Sequence, residues 1–502
     1  MSSIAHMDRS DALRLAASLV MIDIEGTALN AAEIELLRRR PVRAVCLFRK
    51  NLDGLAGTRR LTAHLHALLG TKALVAMDQE GGAVSRATFV PVGPAGMALG
   101  AVGDADIARQ VGAATARSMA WLGVNWNFAP VLDVNSNPAN PVIGERSFSD
   151  DPDEVSRLAG AWMAGSLLEG VACCVKHFPG HGDTHEDSHH ALPEVDKTLA
   201  ELEALELRPF HALHEQAPAL MTAHIVYRQL DADRPATLSR FFLTELLRHR
   251  IGYQGVVITD ALMMRAIADR WGHARAAVLA LAAGADMVLA QGSLQEQEDT
   301  VDAVADALVD GRLDPAQLQR ASQRIDALAE RFPARLRDVD AARWTADMQL
   351  MQLTAERALT TLRAAQAPRG PLRVITQAEV ASDGVSEAGP SAQELASLWP
   401  RGTDIEWLVV PRLVAMRGQD IPRDHRCNVL ASNTRQRYPS AARDWPIDLH
   451  LALWNPFQAL DLNAPTVLTW GYDAPALRAL SAWLAGHLTA TGRPPIRALE
   501  MS

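Results

Sequence analysis

The chain has 502 residues, 48% hydrophobic and 22% charged, which is the composition of a soluble globular protein long enough for two domains. A formal net charge of −10 and a pI near 5.9 argue against a nucleic-acid or anionic-membrane partner, apart from a local basic patch. Four cysteines, Cys46, Cys173, Cys174 and Cys427, are too few and too scattered for a disulfide framework, and Cys173 and Cys174 sit in an apolar run where small buried hydrophobes are expected.

The N-terminal stretch places Asp8, Arg9, Asp11 and Arg14 where a signal peptide needs an apolar core. No apolar run approaches the roughly 18 residues of a membrane span. The expectation is a cytoplasmic, reduced protein. Short apolar runs then alternate with segments of helical period. The runs are "SLVMIDI" (18–24), "VRAVCLF" (42–48), "ALVAM" (73–77), "VNWNF" (124–128), "VACCVK" (171–176), "ALMTAH" (219–224), "GVVIT" (255–259) and "DMVLA" (286–290). Continuous rather than alternating hydrophobicity fits parallel strands buried on both faces. The segment "SDDPDEVSRLAGAWMAGSLLEG" between two of them carries Asp and Pro at its start and Gly170 at its end, the marks of a helix. "SRFFLTELLRHRIG" predicts a second helix with Ser239 as N-cap and basic residues in its last turn before Gly252.

This rhythm predicts an α/β fold, a (β/α)8 TIM-type barrel over 1–345. A helical linker over 346–371 follows, containing "AAQAPRGP" (364–371). A smaller α/β sandwich domain over 372–502 is expected from "LRVIT" (372–376), "EWLVV" (406–410), "IDLHLALWN" (447–455), "TVLTWG" (466–471) and the amphipathic "APALRALSAWLAGHL" (474–488). The chain has no internal repeat and no low-complexity segment, and the small domain has no glycine-rich phosphate loop.

Barrel enzymes keep their working groups where strands end and βα-loops begin. Polar residues gather there in "MDQEGG" (77–82), "FAPVLDVNSNP" (128–138), "KHFPGHG" (176–182), "TAHIVY" (222–227) and "ITDALMM" (258–264). Any one of them, Asp78 or His224 for example, could be a hydrogen-bonded structural group. "KHFPGHGDTHEDSHH" (176–190) holds five of the sixteen histidines, four of them every fourth residue at His177, His181, His185 and His189. A metal site would need that spacing on a helix, which Pro179, Gly180 and Gly182 oppose. A loop-built zinc site and a plain solvated loop stay open beside a third reading, acid–base chemistry. In that reading the Asp187 carboxylate meets one nitrogen of the His189 imidazole and holds up its pKa. Asp260, directly after "GVVIT", could be structural, a metal ligand or a nucleophile.

Taken in order, "DQEGGAVSR" (78–86), "NFAPVLDVNSNPANPVIGERSFSDDP" (127–152), "KHFPGHGDTHEDSHHALP" (176–193), "MTAHIVY" (221–227) and "GVVITDALMM" (255–264) resemble glycoside hydrolase family 3. The "DSH" triplet points to its bacterial β-N-acetylhexosaminidase branch. "AGADMVLA" (283–290) resembles that family's last barrel strand, and "ALWNPFQALDLNAPTVLTWGY" (452–472) resembles the second domain of its longer members. The resemblance implies a retaining exo-β-N-acetylglucosaminidase acting on peptidoglycan fragments or chito-oligosaccharides. It gives Asp260 as nucleophile, His189 as general acid and base with Asp187 as its dyad partner, and Asp78, Arg86, Arg146, Lys176 and His177 as sugar-binding residues. It implies no metal, no organic cofactor, and a small carbohydrate as the partner. It leaves the oligomeric state open. A phosphorylase or β-glucosidase of the same family, a non-catalytic sugar-binding relative and a metalloenzyme are the alternatives. One departure stands out: Ala83 follows "DQEGG" where family members commonly carry arginine.

Overall fold

Eight short strands among the described residues close into a parallel barrel in the computed structural model of the chain, which describes residues 7–186 and 192–500. They are β1 (Val20–Asp23), β2 (Ala44–Cys46), β3 (Leu74–Met77), β4 (Trp126–Asn127), β5 (Ala172–Phe178), β6 (Ala219–Thr222), β7 (Val256–Ala261) and β8 (Met287–Ala290). Each pairs with its sequence neighbour, and β8 closes onto β1 with Val288 beside Val20. All eight expected runs become barrel strands. Their side chains are buried on both faces, so the apolar runs are continuous where a half-exposed strand would alternate.

Helices between the strands start where their caps say they should. Asn30 with Glu33 and Ser293 with Glu296 form capping boxes for Ala31–Arg39 and Leu294–Val309. The helix Pro152–Leu168 has the expected proline at its start, and Gly170 follows its end at φ +72°. The segment 241–251 differs from expectation. It winds as a π-helix, Phe241–Ile251, whose N-cap is Arg240 with no side-chain bond, while the Ser239 hydroxyl is buried and makes no hydrogen bond. At the strand N-terminal end of the barrel, the Asp286 carboxylate takes Val257 N–H at 2.8 Å and Arg324 Nε at 3.0 Å, and it also pairs with Arg248. This buried, multiply bonded carboxylate ties β7 to β8 at the end away from the βα-loops.

The described chain packs as two units. The first comprises Met1–Gln79, Ala113–Asp133 and Met163–Val339, and holds all eight barrel strands. The second comprises Glu80–Gly112, Val134–Trp162 and Asp340–Ser502. Its six-stranded sheet is built from β9 (Thr360–Leu362), β10 (Leu372–Gln377), β11 (Ile405–Val410), β12 (Cys427–Ser432), β13 (Leu449–Ala452) and β14 (Thr466–Leu468). The strand order is β9-β14-β13-β12-β10-β11, parallel except for β9 against β14. Two of these strands, β9 and β12, have no counterpart in the runs expected from sequence. Alternate residues cover opposite faces: Val374, Val429 and Leu451 pack with Leu480 and Trp483, while Ile375 and Leu430 pack with Leu413, Tyr438 and Trp445. The helix Ala474–Leu484, capped by Asp473, supplies Leu480 and Trp483. The result is a sheet between two apolar layers, the α/β sandwich that was expected. No helix among the described residues is long and apolar enough to cross a membrane.

Candidate active site

The βα-loop end of the barrel gathers charged groups from β3, β5 and β7. Asp78 directly follows β3, and Lys176 lies near the end of β5. Lys176 Nζ meets Asp78 Oδ1 at 2.6 Å, and the two side chains are 2% and 15% exposed. A charge pair this short and this dry fixes both groups in direction. The backbone beneath Asp78 is locked by Asn127 at the end of β4, whose side-chain amide takes Gln79 N–H at 3.0 Å and donates to Gln79 C=O at 3.0 Å.

Beyond β4 the chain keeps running beside β5. Cys174 N–H donates to Ala129 C=O at 3.0 Å, and Leu132 N–H donates to Lys176 C=O at 2.6 Å. That extension carries the fully buried Asp133 to His177, whose Nδ1 stands 2.7 Å from Asp133 Oδ2. Burial alone would raise the Asp133 carboxyl, but the His177 and His181 imidazoles and the N–H donors outweigh it and hold it below the usual carboxylate range. The β5–β6 register shifts between Val175 and Phe178, so Lys176 and His177 escape the strict alternation of a regular strand.

Asp260 sits in β7, partly buried, and its Oδ1 accepts Ala261 N–H at 2.8 Å. The β7–β8 register also shifts between Ile258 and Ala261. The Asp260 segment is held by buried His224, two residues past the end of β6, whose Nε2 is 3.1 Å from Ala261 C=O and whose Nδ1 is 2.8 Å from Thr237 Oγ1. The Cys174 thiol underneath is pushed well up by burial, and the charges of Asp78 and Asp260 push it further while Lys176 opposes them. Asp78, Lys176 and Asp260 all lie within electrostatic reach of Cys174.

His177 lies in β5, which ends at Phe178, and residues 179–186 after it form no helix. His177 and His181 are not stacked. Their rings meet edge to face at 5.8 Å, and His181 Nδ1 bonds Thr184 Oγ1 at 2.8 Å. Among the described residues no three His, Cys, Asp or Glu side chains group as a metal cluster. Asp187 and His189 lie outside the described residues.

Arg86 and Arg146 belong to the second unit. Arg146 forks onto Glu80, with Nε and Nη2 each 2.9 Å from a carboxylate oxygen, and its Nη1 reaches Val142 C=O at 3.1 Å. Arg86 Nη1 donates to Val385 C=O at 2.7 Å and to Glu387 Oε1 at 2.9 Å. Ala83, the departure noted in sequence, is buried, and its carbonyl accepts Glu387 N–H at 2.8 Å. Val385 packs with Val84, Val142 and Ile143. A segment of the C-terminal stretch thus grips the Ala83–Arg86 strip.

Residues 14–328 match the model of the glycosyl hydrolase family 3 N-terminal domain. The chain belongs to glycoside hydrolase family 3. It is a glycoside hydrolase by that membership. It is 39% identical to a β-hexosaminidase of Chromobacterium violaceum over 62% of this chain and 86% of that protein. Among solved structures, a family 3 β-N-acetylglucosaminidase from Paenibacillus sp. str. FPU-7 covers 96% of this chain and 98% of its own at 32% identity, with a TM-score of 0.86. NagZ from Neisseria gonorrhoeae, at 33% identity and a TM-score of 0.55, covers 67% of this chain and 95% of its own. Sequence reasoning singled out Asp78, Lys176, His177 and Asp260 but passed over Glu80, Asn127 and Asp133. Glu80 and Asp133 stand in the quoted loop motifs and Asn127 in the run "VNWNF", and only their tertiary partners show what they hold.

Proposed function

We propose that this enzyme is a retaining exo-β-N-acetylglucosaminidase that removes terminal β-linked N-acetylglucosamine through a covalent glycosyl–aspartate intermediate. The observation that carries this is the convergence of Asp260, the Asp78–Lys176 pair and the Asp133–His177 pair at one end of one barrel. The Chromobacterium violaceum relative is a β-hexosaminidase by its name, and the solved neighbour of matching length is a β-N-acetylglucosaminidase.

In the proposed cycle Asp78, Lys176 and His177 orient the terminal sugar, and Arg86 and Arg146 are the further sugar-binding residues that the family resemblance implies. The Asp260 carboxylate attacks the anomeric carbon as the glycosidic C–O bond breaks, and His189 gives its proton to the leaving oxygen. Water then attacks the glycosyl ester, His189 takes a proton from it, and Asp260 is released as carboxylate. Asp187 holds the His189 tautomer. An imidazole in place of a second carboxylate leaves the site less negative, which suits an anionic muramyl neighbour. The natural substrate is then a peptidoglycan fragment in the cytoplasm or a chito-oligosaccharide.

One assay series tests the reading: hydrolysis of an aryl β-N-acetylglucosaminide by wild type, Asp260→Asn and His189→Ala. Asp260→Asn is expected to lose more than about 10³-fold in kcat, and His189→Ala about 10²- to 10⁴-fold. Near-full activity in both variants would defeat the assignment. Release of N-acetylglucosamine 1-phosphate when phosphate is added would instead identify a phosphorylase.

A further inference from the structure

We propose that Asp133 is a positioning residue of the sugar site, fixing His177 so that only its Nε2 is presented to the sugar. The proposal rests on the reading of His177 as a sugar-binding residue. It concerns how that imidazole is held, a job nothing in the family motifs assigns.

The Asp133 side chain is fully buried within the barrel unit, so its contacts are fixed by packing. Oδ2 lies 2.7 Å from His177 Nδ1, while Oδ1 accepts His177 N–H at 3.3 Å and His181 N–H at 2.6 Å. An ionised carboxylate can only accept, so the Nδ1 position of His177 must carry a hydrogen. The ring is then either neutral with Nε2 unprotonated or doubly protonated. In both states the inner nitrogen is committed, and a sugar hydroxyl meets Nε2 alone.

The same carboxylate reaches one step further. Its bond to His181 N–H fixes the chain just past Gly180, where Tyr227 Oη donates to Gly180 C=O at 2.7 Å. In sequence, Asp187 and His189 follow six and eight residues after His181. One buried acid therefore anchors both the His177 imidazole and the backbone at His181. The two anchors use different oxygens, which allows them to be separated by mutation.

Asp133→Asn keeps an oxygen for the two backbone N–H groups but sets an NH2 against His177 Nδ1. The ring must then accept at Nδ1, and its proton moves to Nε2, which turns an acceptor into a donor. The test is a double-mutant cycle of kcat/KM on an aryl β-N-acetylglucosaminide, using wild type, Asp133→Asn, His177→Ala and the double variant. Asp133→Asn is expected to lose about 10- to 100-fold. The double variant is expected to be no worse than His177→Ala. If Asp133→Asn costs its full factor again in the His177→Ala background, the acid acts on something other than His177 and the proposal fails. If His177→Ala alone keeps wild-type kcat/KM, the sugar-binding reading of His177 fails first. Should Asp133→Asn not fold, ¹⁵N NMR of histidine-labelled wild type decides the matter, with His177→Ala giving the assignment. A hydrogen on His177 Nδ1 supports the proposal, and a neutral ring protonated at Nε2 overturns it.

Discussion

Replacing Lys176 by methionine should separate what the Asp78–Lys176 pair does for stability from what it does for activity. At 2.6 Å, two unit charges attract by about 6 kcal/mol at an effective dielectric near 20. Most of that is offset by the cost of drying both groups. Removing one partner of a buried pair costs about 3–5 kcal/mol, because the other charge is left behind. Asp78 keeps 15% of its side chain exposed, so the lower end, about 3 kcal/mol, is the expected loss. At about 2 °C per kcal/mol, that lowers the melting temperature by about 6 °C. Methionine fills nearly the same volume, so packing contributes little. The variant Asp78→Asn/Lys176→Met removes both charges together and is expected to recover at least half of the lost stability. Its kcat/KM should stay about 10²-fold or more below wild type, since both sugar-orienting groups are gone. Thermal melts followed by circular dichroism, with the aryl glycoside assay, measure both quantities on the same samples. If Lys176→Met melts with wild type, or if the double variant is less stable than Lys176→Met, the pair is not a dry, mutually dependent unit.

Asp473 gives a pH-dependent expectation. Burial pushes its carboxyl from 3.8 up to about 6, against the opposing hydrogen bond from Ala476 N–H. The folded state then holds the proton more tightly than the unfolded state, so this group's contribution to stability falls as pH rises from about 4 to about 6, by at most about 3 kcal/mol. The residue keeps partial solvent access, so about half of that is expected. Asp473→Asn retains the helix cap and should be more stable than wild type at pH 7 but not at pH 4. Urea titrations at both pH values check this, and an unchanged difference between them would refute it. Gly180→Ala is expected to cost at least about 2 kcal/mol and to lower kcat/KM. The backbone there has φ +139°, and the added Cβ would stand 2.6 Å from Glu206 Cβ. A Gly180→Ala protein with wild-type melting and kinetics would refute that reading.

What the sequence makes legible follows from where the physics is local. The eight barrel strands are legible because burial on both faces leaves an uninterrupted apolar run, from "VMID" in β1 to "MVLA" in β8. The missed strand β12 reads "CNVLAS", and its polar Asn428 is buried only because Arg373 and the carbonyls of Pro422 and Pro446 satisfy it. β9 is three residues long and earns its place only by pairing with β14. Neither has a periodic signal of its own. The same division runs through the site. Asp78 and Asp260 stand at strand ends, so their position alone marks them. Asp133 carries no such mark, because its meaning comes from the register of the β4 extension against β5. Glu80 is bound to Arg146, 66 positions away, with nothing local to announce it. The fourfold histidine spacing is the reverse case, a local pattern that the described residues do not wind into a helix. β5 continues to Phe178, so His177 and His181 meet edge to face and each takes a different partner. Spacing becomes geometry only once the backbone that carries it is known, and here Pro179, Gly180 and Gly182 deny the helix that would have aligned the rings.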